Sequence, residues 1–108
     1  MSEFRLAQKG IILNIKRTHI LVQKYLSSKY NPLKVVNKFA LPGGKMEFGE
    51  LPDEAFIREV EQETGIIITP LKPIDIWTWI YDKDGVKTQI VAVSRLAEFN
   101  RGKLIVLV

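Results

Sequence analysis

The sequence predicts a mixed α/β fold, because strand-like apolar runs lie on both sides of one amphipathic helix. Branched apolar runs occupy residues 8–15 and 19–25, ahead of a glycine-containing segment. Residues 52–64 start with a proline, repeat apolar residues at helical spacing and are followed by a glycine, which is the pattern of a surface helix. Branched and aromatic residues then fill positions 66–99, interrupted by the turn sequence Asp-Lys-Asp-Gly.

The N-terminal half is predicted to be a strand pair followed by loop. A short polar turn, Lys-Arg-Thr, separates the first two apolar runs, which favours an antiparallel pair. His19, the only histidine, falls at the end of this predicted hairpin and is expected on the surface. Residues 27–38 are rich in lysine and turn formers and predict an exposed loop. Residues 39–50 contain three glycines, so we expect loop with brief extended pieces.

The helix is predicted to span Pro52–Thr64. Acidic residues in its first turn suit the positive end of the helix dipole, and Gly65 suits the C-terminal stop. On a helical wheel, Phe56, Ile57 and Val60 cluster on one side and are expected to face the core.

The C-terminal half is predicted to be strands around the Asp-Lys-Asp-Gly turn. Trp77, Trp79 and Tyr81 alternate along one of them and therefore share a face. Such a stripe favours core or interface packing, and stacking on a nucleobase is the alternative. The chain closes with the apolar run 103–108, which as a strand would need a partner, so self-association as a homodimer is expected.

Length and composition indicate one soluble domain. With 108 residues the chain is long enough for a single core and too short for two domains. It has no apolar segment of membrane-spanning length, no hydrophobic N-terminal segment of signal-peptide type, and no cysteine. We therefore expect a cytoplasmic protein without a membrane partner, disulfides or thiolate metal sites.

The charge distribution suggests a phosphate ligand and a divalent cation. Residues 39–63 carry seven acidic residues against two basic ones, in a chain with a net charge of +4. Within this stretch Glu59 and Glu63 are four residues apart, so they share a helix face and could chelate Mg²⁺ or Mn²⁺. An acidic, solvated helix in a basic chain is the competing explanation, and a Gly43-Gly44 pair could equally be a tight turn or a close approach to a ligand.

These residues together resemble the Nudix box, the signature of Nudix hydrolases. That pattern is glycine, five residues, glutamate, seven residues, then Arg-Glu-aliphatic-any-Glu-Glu-any-Gly-aliphatic. It starts at Gly44, continues with Glu50, and resumes at Arg58 to end at Ile66. Every specified position matches except Gln62, where the family has glutamate.

The resemblance implies a fold, a reaction and roles for particular residues. It implies a Nudix-like α/β/α sandwich with a mixed sheet, and a hydrolase that cleaves a pyrophosphate linkage in a nucleoside diphosphate derivative with Mg²⁺ or Mn²⁺ as cofactor. The residues it implicates are Glu59, Arg58 and Glu50 as catalytic residues, with Glu59 as the candidate general base, and Gly43, Glu59 and Glu63 as metal ligands. Lys24, Lys38 and Lys45 are expected to bind substrate phosphates.

Two departures from the family keep other functions open. Gln62 can offer an amide oxygen but no charge, so metal affinity and rate are expected to be reduced. Family members usually continue further, with another strand, a C-terminal helix and often a further acidic ligand. A truncated product, a fragment and a nucleotide- or partner-binding module with little turnover are therefore alternatives. A basic RNA-binding domain is a weaker one, because it leaves the acidic stretch unexplained.

Overall fold

The structure, a computed structural model of the chain, describes residues 1–24 and 39–105. Over these ranges the elements are β1 (Ser2–Leu13), β2 (Gln23–Lys24), β3 (Phe39–Ala40), β4 (Gly43–Lys45), α1 (Pro52–Thr64), β5 (Ile66–Lys83) and β6 (Val86–Gly102). The exposed loop predicted for residues 27–38 lies outside the described residues. None of the described helices has the length and apolar character needed to cross a bilayer.

Four strands form one mixed sheet in the order β4-β1-β6-β5. Strands β1 and β6 run parallel, whereas β4 is antiparallel to β1 and β5 is antiparallel to β6. The predicted mixed α/β class is therefore confirmed. In the residues described, α1 is the only helix, so the second helix layer of the expected sandwich is not among them.

The predicted N-terminal strand pair is present only as a short contact. Leu13 and Ile20 form an isolated antiparallel bridge, and the Leu21 amide donates to the Ile12 carbonyl at 3.0 Å. Beyond that bridge, β2 pairs with β3 instead of continuing along β1. Branched apolar residues predict extended backbone, but they leave the partner strand unspecified.

The long hairpin follows the sequence prediction closely. Asp84 and Gly85, with φ of 54° and 80°, form the two-residue turn that joins β5 to β6. Successive left-handed residues match the twist of the flanking strands, which explains the preference for Asp-Gly here. Pro70 and Pro73 lie in β5, an edge strand of this sheet, where a missing amide donor is tolerated.

Helix α1 covers the sheet with the predicted apolar side. Phe56 and Val60 are buried and join Ile12 and Ile68 in the main hydrophobic core. Gly10 of β1 makes room for this packing, because a Cβ there would lie 2.9 Å from the Phe56 ring. The helix ends as predicted, at a left-handed glycine whose amide donates to the Glu61 carbonyl.

The aromatic stripe divides between packing and exposure. Trp79 and Tyr81 pack against a second cluster formed by Ala7, Ile90 and Ala92. The Trp77 ring centroid lies 4.8 Å from that of Trp79, but Trp77 itself is exposed. Core packing is therefore found for two of the three rings.

The chain after β6 differs from the expected terminal strand. Residues Lys103–Ile105 belong to no strand, and residues 106–108 lie outside the described part of the chain. The Ile105 amide instead donates to the Thr64 carbonyl at 2.8 Å. Helix carbonyls in the last turn lack partners within the helix, and this contact satisfies one of them.

Candidate active site

The glycine pair of β4 lies directly against the C-terminal half of α1. The Gly43 amide donates to Glu63 Oε1 at 2.9 Å. Gly43 has a φ of 134°, and a Cβ there would overlap the Gln8 carbonyl of β1. At Gly44 a Cβ would instead lie 2.7 Å from Glu59 Cδ. Gly43 therefore allows β4 to pair closely with β1, and Gly44 leaves room for the Glu59 carboxylate.

Arg58 joins the loop to the helix through several hydrogen bonds. Its guanidinium binds Glu50 in a bidentate pair, with Nε to Oε2 at 2.6 Å and Nη2 to Oε1 at 2.8 Å. Its Nη1 donates to Glu59 Oε1 at 2.9 Å and to Gln62 Oε1 at 3.3 Å. Its Nη2 also reaches the Lys45 carbonyl at 3.3 Å. A planar guanidinium suits this arrangement, because its donors diverge in fixed directions.

This network keeps Glu50 ionised. Hydrogen bonds from Arg58, and after them the hydrogen bond from the Glu47 amide at 2.7 Å from Glu50 Oε1, together lower the pKa of Glu50 to about 2. In turn, the hydrogen bonds to Glu50 raise the pKa of Arg58. Both charges are therefore present at neutral pH, and Glu50 acts as an anchor for the arginine.

Glu63 experiences the opposite influence. Burial raises the pKa of Glu63, while the Gly43 amide and the Lys9 ammonium partly oppose that rise. A buried carboxylate is costly when ionised unless a cation or several donors accompany it. The position of Glu63 therefore favours a nearby positive charge.

Lys9 supplies such a charge and was not predicted as a site residue. Its Nζ donates to the Gly43 carbonyl at 3.0 Å, and in the β1–β4 register it lies opposite Gly43. Burial lowers the pKa of Lys9, and the charges of Glu63 and Glu59 act against that shift. Lys9 carries no distinguishing sequence signal, because β1 also contains Glu3 and Arg5 and local patterning cannot connect a strand residue to a loop 34 residues away.

The donors at this site fit a hard divalent cation. The carboxylates of Glu59 and Glu63 and the carbonyl of Gly43 are oxygen donors, the kind that Mg²⁺ and Mn²⁺ prefer. The Lys9 ammonium already stands as a cation at that carbonyl. Across residues 1–24 and 39–105, no cluster of three or more His, Cys, Asp or Glu side chains is arranged for metal binding. A metal here would therefore need the backbone carbonyl in addition to the two carboxylates.

Two of the three predicted phosphate-binding lysines lie in the described residues, and both contact aromatic rings. Lys45 Nζ donates to the Tyr81 hydroxyl at 2.9 Å and lies over that ring. Lys24 Nζ lies 5.8 Å from the centroid of the Phe39 ring. Lys38 lies outside the described residues. A substrate-binding role for these three lysines therefore stays a prediction.

A family model described as "NUDIX domain" matches residues 4–103 of this chain. An 8-oxo-dGTP diphosphatase of Escherichia coli is 33% identical over 45% of this chain and 47% of its own length. An ADP-ribose pyrophosphatase of Methanocaldococcus jannaschii is 50% identical over 39% of this chain and 24% of its own length. The matched regions therefore span less than half of these curated relatives.

Solved structures agree with the observed topology. A MutT NUDIX hydrolase from Burkholderia pseudomallei superposes with a TM-score of 0.74 at 27% identity, covering 96% of this chain and 74% of that one. A UDP-X diphosphatase superposes with a TM-score of 0.70 at 18% identity, covering 95% of this chain and 45% of that one. At 18% identity the second likeness concerns the fold alone.

Proposed function

The chain belongs to the Nudix family, and on that premise we propose that it is a metal-dependent hydrolase of nucleoside diphosphate derivatives. The reaction is attack of water on a phosphorus atom of a pyrophosphate linkage. One bond from that phosphorus to the bridging oxygen breaks, and two phosphate-bearing products leave. Mg²⁺ or Mn²⁺ is the proposed cofactor.

One observation carries this proposal: two glutamates of α1 lie against a glycine loop that Arg58 of the same helix also contacts, at the Lys45 carbonyl. Glu59 and Glu63 lie one helical turn apart, and Gly43 is bound to Glu63 through its amide, at 2.9 Å from Glu63 Oε1. The two carboxylates and the Gly43 carbonyl would hold the metal, which when bound supplies positive charge that neutralises and orients the pyrophosphate. Arg58 binds Glu59 and is itself held by Glu50, so we assign Arg58 and Glu50 a positioning role.

Glu59 is the proposed general base. Its Oε1 accepts the hydrogen bond from Arg58 at 2.9 Å, and its Oε2 faces the space at Gly44. An ionised carboxylate with one oxygen held in place can still take a proton on the other oxygen. The proton of the attacking water would pass to Glu59 Oε2. Glu59 would then hold the metal through Oε1, which has a second lone pair beside the one that accepts from Arg58, and the Arg58 guanidinium would keep the carboxylate aligned.

Two of the known Nudix substrates are the first candidates for this chain. Nudix substrates include nucleoside triphosphates, nucleotide sugars, ADP-ribose and dinucleoside polyphosphates. The relatives described above are named for 8-oxo-dGTP and ADP-ribose, so we place these two compounds first among candidates. Lys24, Lys38 and Lys45 are proposed to attract the phosphates, and a cytoplasmic location remains our prediction.

The second candidate is a Nudix-fold binding module with little turnover. Two observations favour it. Gln62 contributes no charge at the site, and the Lys9 ammonium already neutralises part of the negative charge that a metal would use. A module of this kind would bind a nucleotide without releasing phosphate products.

A hydrolysis screen separates the two functions. The chain is incubated with 8-oxo-dGTP, ADP-ribose, nucleotide sugars and dinucleoside polyphosphates, each with Mg²⁺, with Mn²⁺ and with chelator. Products are followed by chromatography and phosphate release. We expect metal-dependent cleavage that Glu59→Gln abolishes and that Glu61→Gln, on the exposed side of the same helix, retains. Nucleotide binding without cleavage under every condition would favour the binding module.

A further inference from the structure

Lys9 is placed at the site by the sheet and not by the Nudix box. Strand β1 sets Lys9 opposite Gly43, and the side chain is half-buried. Its ammonium donates to the Gly43 carbonyl at 3.0 Å. That carbonyl is one of the three groups to which we assign the metal, so one oxygen has two possible cationic partners.

Lys9 also interacts with the two carboxylates to which we assign the metal. The two carboxylates that act on the Lys9 charge are those of Glu63 and Glu59, the remaining proposed metal ligands. The other cation of the site, Arg58, is committed to Glu50 by a bidentate pair and cannot leave without breaking it. Lys9 holds the loop by one hydrogen bond from a flexible four-carbon stem, so it is the cation that can move away.

We propose that Lys9 competes with the metal for the Gly43 carbonyl. Its ammonium donates to that carbonyl and offsets part of the charge of the two glutamates until a divalent ion displaces it. This inference rests on the proposed metal-dependent function and concerns its regulation. Without metal, Lys9 offsets part of the negative charge of the site, and it thereby raises the metal concentration at which the site fills. Lys9 is thus a residue that sets metal affinity and not a catalytic residue.

The contact has a simpler explanation, which predicts a different result. Lys9 could serve only to satisfy a buried carbonyl and stabilise the β1–β4 pairing. Removing it would then lower the melting temperature and leave metal affinity unchanged, or weaken it by loosening the loop. Competition instead predicts that metal affinity rises when the Lys9 ammonium is removed.

The test is Mn²⁺ binding by the full chain, measured by electron paramagnetic resonance and calorimetry without substrate. Lys9→Met removes the charge and keeps the length of the side chain. Removing a supporting group beside metal ligands typically lowers metal affinity by roughly 10- to 100-fold, and we expect removal of the competing Lys9 charge to have the opposite sign, with Lys9→Met binding Mn²⁺ on the order of tenfold more tightly. Lys9→Arg, which keeps the charge, is expected to bind close to wild type.

A matched control removes one positive charge elsewhere. Lys87 is exposed at the far end of the sheet, opposite Ser2, so Lys87→Met lowers the net charge equally without touching the site. It is expected to bind Mn²⁺ as wild type does. Melting curves without metal verify folding of every variant. If Lys9→Met does not fold, Lys9→Gln replaces it, because an amide can still donate to the Gly43 carbonyl without carrying charge.

The outcomes separate this inference from the proposed function. Equal or weaker Mn²⁺ binding by the uncharged Lys9 variants overturns competition while leaving a metal-dependent hydrolase intact. If Lys87→Met gains as much Mn²⁺ affinity as Lys9→Met, competition is also overturned, because the lower net charge of the protein would then explain the gain. Absence of Mn²⁺ binding in all proteins overturns both. Tighter binding in Lys9→Met without any hydrolysis in the screen supports competition and contradicts the enzymatic function.

Discussion

Replacing Gly44 by alanine tests how closely the loop and the catalytic carboxylate fit. A Cβ at Gly44 would lie 2.7 Å from Glu59 Cδ, whereas carbon atoms pack favourably at about 3.5–4.0 Å. The Glu59 carboxylate must therefore retreat by about 1 Å. A misplacement of about 1 Å in a catalytic group can cost on the order of 100-fold in rate. We expect Gly44→Ala to lower kcat/KM by about that factor.

The fold should tolerate this change. Gly44 does not have the left-handed φ that disfavours alanine, and the atoms it would meet belong to a side chain that can move. We expect its free energy of unfolding to stay within about 1 kcal/mol of wild type. Gly43→Ala provides the contrast. Its φ of 134° and the overlap with the Gln8 backbone cannot be relieved by a side chain, so we expect a loss of at least about 1–3 kcal/mol.

The assay compares the two variants on the best substrate of the screen. Steady-state kinetics give kcat/KM, Mn²⁺ titration gives metal affinity, and denaturant unfolding gives stability. The expected pattern is a folded Gly44→Ala with strongly reduced kcat/KM and an unstable Gly43→Ala. Full activity in Gly44→Ala would refute the close approach of Glu59 to the loop.

Three further predictions concern the network, the metal and the sheet edge. Gln62→Glu adds an anionic oxygen and should tighten Mn²⁺ binding in calorimetry; unchanged affinity would mean that Gln62 is no handicap. Arg58 lowers the pKa of Glu50 from its ordinary value of 4.5 to about 2. The ionised pair therefore stabilises the fold fully at pH values above 4.5, and this stabilisation is lost as the pH falls through about 2. Melting temperature should therefore fall less steeply over that range in Glu50→Gln, and Glu61→Gln should keep the wild-type slope. The edge strand β5 exposes Ile76, 68% accessible, so light scattering across a concentration series should detect self-association that Ile76→Lys reduces.

Local signals in the sequence were sufficient for the helix and the long hairpin. The bounds Pro52–Thr64 were predicted exactly as the structure has them, because the proline, the acidic first turn and Gly65 each act within a few residues. The Asp84-Gly85 turn could be predicted in the same way, because its backbone conformation favours those residue types.

Long-range pairing was not accessible in the same way. The partner of β2 and the position of Lys9 depend on which strands become neighbours, and a run of branched residues fits many partners. Lys9 reaches the site only because β1 lies next to β4. The bond from Ile105 to the end of α1 likewise depends on where β6 ends, which the apolar C-terminal run did not indicate.

The most direct test of the central claim is a Mn²⁺ titration of wild type, Glu63→Gln and Glu61→Gln, with hydrolysis of the best substrate measured in the same samples. Glu63 lies against the Gly43 amide at the proposed metal site, whereas Glu61 is exposed on the same helix. We expect wild type and Glu61→Gln to bind Mn²⁺ and turn over substrate in parallel, and we expect Glu63→Gln to lose both. Undiminished metal binding and turnover in Glu63→Gln would contradict this expectation.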